Sequence, residues 1–117
     1  MSDETQAMEV AIADREAFVL CLALGTLEAM RGGAWPLEAG VWSLGRPAFW
    51  EPLASDVVAP EVVAALRSAD ELSALAELGG SSAAEAALDR MIAVVRSRLS
   101  ALPEKCWYAR WSAGFFS

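Results

Sequence analysis

SSAAEAALDRMIAVVRSRLSAL, residues 81–102, is the stretch whose reading decides the fold. Ala84, Leu88, Met91, Ile92, Val95, Leu99 and Leu102 recur at steps of three and four, while Asp89, Arg96, Ser97 and Ser100 fall on the other side. That is the period of an α-helix with one face against a core. Ser82 and Glu85 have the spacing of a capping box, in which hydroxyl and carboxylate satisfy each other's backbone donors, so a helix is predicted over 83–102. Pro103 ends or kinks it, because proline lacks the N–H that the ladder needs.

A one-faced helix needs neighbours, and the chain upstream supplies them. Gly79-Gly80 closes a helix predicted over 69–78, which Ser68 and Glu71 open as a second capping box. Before it, Pro60 followed by Glu61 starts a helix over 60–67. The apolar phase shifts from Val62 and Leu66 to Leu72, Leu75 and Leu78, which separates the two, with one bent helix as the alternative. WPLEAGVWSLG predicts a helix over 36–44, from Pro36 to a stop at Gly45. In RPAFWEPLAS, Pro47 and Pro52 leave room for a turn or two at most.

The first long helix is predicted over 7–31. Its segment 18–27 is apolar on nearly every side, which predicts burial in the middle of the bundle. Arg31 and then Gly32-Gly33 stop it. Residues 1–6 read as a disordered tail and 7–117 as a single helical domain. The fold class is therefore all-α, a compact bundle of about five helices.

The chain ends in CWYARWSAGFFS, which holds half of its aromatic residues. At helical spacing Trp107, Trp111 and Phe115 share one stripe, predicting a short final helix; an extended arm is the alternative. Such a segment, with Phe116, seals either the open end of the bundle or a second copy of the chain. A second aromatic group, Trp35, Trp42, Phe49 and Trp50, sits in the proline-rich middle.

Composition narrows the function. The apolar fraction of 56% exceeds the usual range, which points to an oligomer or a partner-binding patch. The longest apolar run, residues 17–24, is too short to cross a bilayer, and the acidic N-terminus lacks the basic region of a signal peptide. A cytoplasmic protein with no membrane partner is expected. Its two cysteines are then reduced thiols without metal-ligand spacing, and Cys21 reads as a small core hydrophobe.

The net charge is −7, and it is uneven. Residues 51–89 hold eight acids against Arg67 alone, whereas residues 90–117 hold Glu104 against five cations. This sign disfavours nucleic acid and suits a basic protein partner. Internal neutralisation between the acidic middle and the basic last helix is the plainer explanation.

There is no histidine. The usual general base, the Cys-His and Ser-His nucleophile pairs and the commonest transition-metal ligand are thereby absent. Neither glycine pair sits in a GxGxxG or GxxxxGKS/T context, so no phosphate cradle is present and no cofactor is expected. Glu28, after the apolar segment, is a candidate inward-facing acid, although pairing with Arg31 three residues on is the competing arrangement.

CLALGTLEAMRGGAWPLEAGVWSLGRP (21–47), SADELSALAELG (68–79) and the final amphipathic helix together resemble a family of small uncharacterised bacterial proteins. Those carry a "CLGxIExL"-like segment, an acidic turn, a short helix and a later "ELEDVxSL"-like box; the tryptophans and the aromatic tail depart from that pattern. The resemblance implies an all-α fold. Families of this kind are similar to small acidic proteins encoded beside secreted bacterial toxins, which act as immunity partners.

The expected function is a non-catalytic interaction module. A basic protein, or a second copy, would be met by Trp50, Asp70, Glu71, Glu77, Trp107, Trp111, Phe115 and Phe116. Its sharpest form is an immunity-type inhibitor of a basic toxin. The alternatives are a small-molecule binder whose apolar pocket is lined by Trp35, Trp42, Trp50 and Trp107, with Phe49 and Glu28 beside it, and a carboxylate-dependent enzyme around Glu28.

Overall fold

Helix α1, Arg15–Arg31, alternates small and large apolar residues along one stripe: Ala17, Leu20, Ala23, Leu27 and Met30. Helix α5, Ser81–Ala101, answers with Ala84, Leu88, Met91, Ile92 and Val95. Small against large lets two helices interdigitate without voids, and these residues are all buried. The ion pairs that flank the seam run from Glu16 to Arg98 and from Arg31 to Asp89, so the two helices lie antiparallel.

The computed structural model of the chain describes residues 12–41, 43–45, 51 and 58–103. Among these the structure is helical, with no strand. A 3-10 turn, Ile12–Asp14, leads into α1; α2 spans Leu37–Val41, α3 Pro60–Arg67 and α4 Leu72–Gly79, with a second 3-10 turn, Ser68–Glu71, between α3 and α4. One apolar cluster joins them, with Leu20, Leu27, Leu44, Val62, Leu66, Leu72, Leu88 and Val95 fully enclosed. Full burial of a leucine or valine stabilises by about 1.5–3 kcal/mol relative to leaving it exposed.

Helix α1 ends in a Schellman motif. The Ala34 N–H donates to the Ala29 carbonyl (2.8 Å) and the Gly33 N–H to that of Met30 (3.2 Å). Gly33 has φ +83°, the left-handed position at which glycine has no Cβ penalty. The predicted stop at Gly32-Gly33 is where the helix ends.

Elsewhere the observed elements depart from the predicted ones. The part of 7–31 before Ile12 lies outside the described residues, as do the tail 1–6, most of the segment between the two prolines and the aromatic end. The element predicted over 36–44 is only Leu37–Val41, after which the chain turns, with the Gly45 N–H donating to the Gly40 carbonyl (2.9 Å). Gly45 itself is pressed on the second 3-10 turn: a Cβ there would meet the Asp70 nitrogen at 2.6 Å.

Neither capping box forms. Ser68 has φ −63° and ψ −19°, already right-handed, whereas an N-cap needs extended backbone. Its hydroxyl instead donates back to the Ala64 carbonyl (3.0 Å), and the chain passes from α3 through the 3-10 turn into α4 without leaving the right-handed region. Helix α5 starts at Ser81, two residues before its predicted start, so Ser82 lies inside the first turn and no side chain caps the helix. What starts it is Gly80 alone, the whole connection from α4. Its φ of +78° and ψ of 177° are open only to glycine.

Helix α1 is not buried all round. Cys21, Leu22 and Gly25 face outward, Leu22 being 49% exposed, because a single stripe of α1 suffices to meet its neighbours. Cys21, expected in the core, is an exposed free thiol, and partial desolvation pushes its pKa up. The one buried hydroxyl on this helix, Thr26, donates to the Leu22 carbonyl (2.9 Å) and so carries no unmet donor.

Two outcomes follow from the backbone and one from the thiol. Gly80→Ala is expected to cost about 1–3 kcal/mol in urea unfolding through left-handed strain. Gly25→Ala, where a Cβ meets nothing within 4 Å, is expected to stabilise by about 0.5–1 kcal/mol. In a Cys106→Ser background, Cys21 of the folded protein should react with an aromatic disulfide, slowly at neutral pH and about tenfold faster per pH unit towards alkali. Reaction only on unfolding would contradict its exposed position.

Candidate functional site

The four ion pairs of the α1–α5 seam all cross between the two helices. Glu16 is the best bound: Arg98 donates to its two oxygens from Nε (3.0 Å) and Nη2 (2.7 Å), and the backbone N–H of Ala59 donates to Oε2 (2.8 Å). The Arg98 hydrogen bonds hold the Glu16 carboxyl below the ordinary glutamate value against the opposing push of burial, with Ala59 assisting. Glu16 raises the Arg98 guanidinium in return.

Glu28 does not face inward. It is exposed and accepts a hydrogen bond from Arg96 Nη2 at 2.7 Å. Nor does it take Arg31 as an ion-pair partner: Arg31 reaches Asp89 (2.9 Å) and Glu85 (3.8 Å) on α5, and the hydrogen bond from Arg31 to Asp89 is the chief cause of its raised pKa. The i,i+3 pairing within α1 loses because the antiparallel neighbour presents opposite charge at better range. Asp89 and Arg96, expected to face away from the partner helices, flank the α1–α5 contact instead.

The stretch from α3 to α4 is acidic, with Arg67 as its one cation. Glu61 on α3, Asp70 and Glu71 on the second 3-10 turn and Glu77 on α4 are exposed, and none enters an ion pair with a described residue. Of the cations that the sequence offered as their neutralising partners, Arg96 and Arg98 are engaged by α1, Arg90 lines a trough with Glu61 and Glu71, and Lys105 and Arg110 lie outside the described residues. Glu61 is within electrostatic reach of Arg98 only at longer range.

Described residues line two cavities beside these elements. One, of about 310 Å³, is an open trough between α3 and α5 with Ala64, Ala65, Leu75, Ala87, Met91 and Val94 on its apolar side and Glu61, Ser68, Glu71 and Arg90 as its polar groups. The other, of about 390 Å³, lies where α1 ends and α5 begins, among Met30, Leu37, Ala76, Ala84 and Leu88, with Arg31 and Glu85 at its edge. Tryptophan lines neither, and neither includes Glu28.

Of the predicted site residues, Asp70 and Glu71 lie exposed on the second 3-10 turn and Glu77 on α4, and Glu71 borders the trough. Trp35 is about half exposed in the connection from α1 to α2. Trp42, Phe49, Trp50, Trp107, Trp111, Phe115 and Phe116 lie outside the described residues. Glu61 and Arg90 were missed; the signal was their position at the edges of their apolar stripes, where side chains border a groove between helices. No group of three or more metal-ligating side chains occurs among the described residues, and no described helix is long and apolar enough to cross a membrane.

Comparison with known proteins brings no match: no family model, no curated protein and no solved structure aligns with the chain.

The Glu16 knot sets a pH dependence. Its pKa is lower in the folded state, so its contribution is complete above the unfolded glutamate value and is lost as pH falls through the folded one. Glu16→Gln is expected to cost about 1–2 kcal/mol at pH 7, discounted for the partial exposure of Arg98. The wild-type advantage should shrink as pH falls below the ordinary glutamate value and be gone once the folded-state carboxyl is protonated. A gap that does not shrink with acid would assign the loss to packing.

Proposed function

We propose that the protein is a non-catalytic interaction module that binds a basic protein partner through the acidic side formed by α3, the second 3-10 turn and α4. The observation that carries this reading is that Glu61, Asp70, Glu71 and Glu77 are exposed with no ion pair to a described residue, and that two of them, Glu61 and Glu71, border an apolar trough. An excess of exposed acids is relieved by a cationic surface, which also speeds encounter. Internal neutralisation, the plainer explanation of the uneven charge, loses Arg96 and Arg98 to α1 and keeps Arg90 beside Glu61 and Glu71.

In its sharpest form the module is an immunity-type inhibitor of a basic bacterial toxin, acting in the cytoplasm, as the resemblance to small acidic helical proteins implies. Nucleic acid and membrane are not its partners on this reading, since the free charge has the sign of phosphate. The whole chain is then a bundle of about five helices, with the aromatic end, as a short helix or arm, sealing the bundle or a second copy.

The test is kinetic, on a basic protein co-purified from the source organism. Its association rate should fall about tenfold between roughly 50 and 500 mM salt. The Asp70→Lys/Glu71→Lys/Glu77→Lys variant should slow association by a similar factor while melting normally. A rate indifferent to both salt and charge reversal would dismiss the proposal.

A further inference from the structure

Resting on that acidic-surface reading, we infer that the trough between α3 and α5 is the seat of one amphipathic α-helix of the partner, apolar on one face and basic along its edges. The walls determine the kind of occupant. Every wall is helix or 3-10 turn, whose backbone donors and acceptors are largely spent within the elements. The single hydroxyl there, Ser68, already donates to the Ala64 carbonyl. An extended peptide pressed into the trough would bury backbone groups that find no partner, and the described residues offer no sheet edge to pair with it. A helix satisfies its own backbone and needs only an apolar surface.

The size fits. Alanines 64, 65 and 87 keep the floor low, so a third helix can approach to the usual interaxial distance of about 8–10 Å. The eight residues of α3 are about 12 Å long at helical rise, enough for anchors at i, i+3 or i+4, and i+7. A volume of about 310 Å³ takes two or three aliphatic side chains rather than a large cofactor.

The rim sets the charge. Glu61 and Glu71 border the trough without ion-pair partners and Arg90 is the one cation among its lining residues. Lysine or arginine on the flanks of the guest helix would meet the two acids, and Asp70, next in sequence to Glu71, adds to the field.

Fluorescence anisotropy with two labelled peptides of about fifteen residues tests this. One arranges Leu, Ala and Lys with helical periodicity; the other scrambles the same residues. The ordered peptide should bind about tenfold more tightly than the scrambled one, and Ala64→Trp, filling the trough from an exposed position, should abolish that difference while weak, salt-sensitive binding of both remains. Glu61→Lys, which leaves the floor intact, should weaken the ordered peptide by about threefold to tenfold. Equal binding of the two peptides, or full ordered binding by Ala64→Trp, would overturn the helix seat and leave the acidic surface standing. Failure of both peptides to bind at low salt would remove both readings. A dimer that Ala64→Trp converts to monomer would replace the foreign helix with a second copy and overturn the inference.

Discussion

A single carboxylate, Glu16, holds together parts of the chain that are far apart in sequence. Its oxygens receive both the fork of Arg98, at the far end of α5, and the N–H of Ala59, just before α3. Three donors on a partly buried carboxylate offset the cost of removing it from water, and the bidentate geometry fixes orientation as well as distance. The apolar seam of α1 and α5 supplies most of the stabilisation, but it tolerates sliding; the Glu16 knot fixes the register in which Ala17, Leu20 and Ala23 meet their partners.

That register has a consequence for the surface. With α5 antiparallel to α1, Arg96 and Arg98 are drawn to Glu28 and Glu16, and Arg31 to Asp89 and Glu85. Of the described α5 cations, Arg90 is left to line the trough with Glu61 and Glu71. The seam pairs and the acids left without ion-pair partners among the described residues are thus two outcomes of one packing arrangement, although each exposed pair is individually weak.

Glycine does the joining. Gly80 turns α4 into α5 in one residue, Gly45 lets the α2 turn rest against the backbone at Asp70, and Gly33 ends α1. These are places where a side chain would collide with backbone or where φ is positive, so the packing of neighbouring elements is set by the absence of a Cβ. The two serine–glutamate spacings were less informative than they looked: each lies within backbone that is already helical, and capping needs backbone that is not.

By itself the sequence determined the helical class, the stripe of α5, the span of α3 and the stop after Arg31, because period, proline and paired glycine act within a few residues. It also determined the excess of acids between residues 51 and 89. Only the tertiary structure decided which face of α1 is buried, and so that Cys21 and Leu22 face outward while Glu28 reaches Arg96. It alone decided that Glu61 and Glu71 border one trough with Arg90. Local propensity is read along the chain, whereas pairing and exposure depend on which antiparallel neighbour arrives, and no interval of a few residues encodes that.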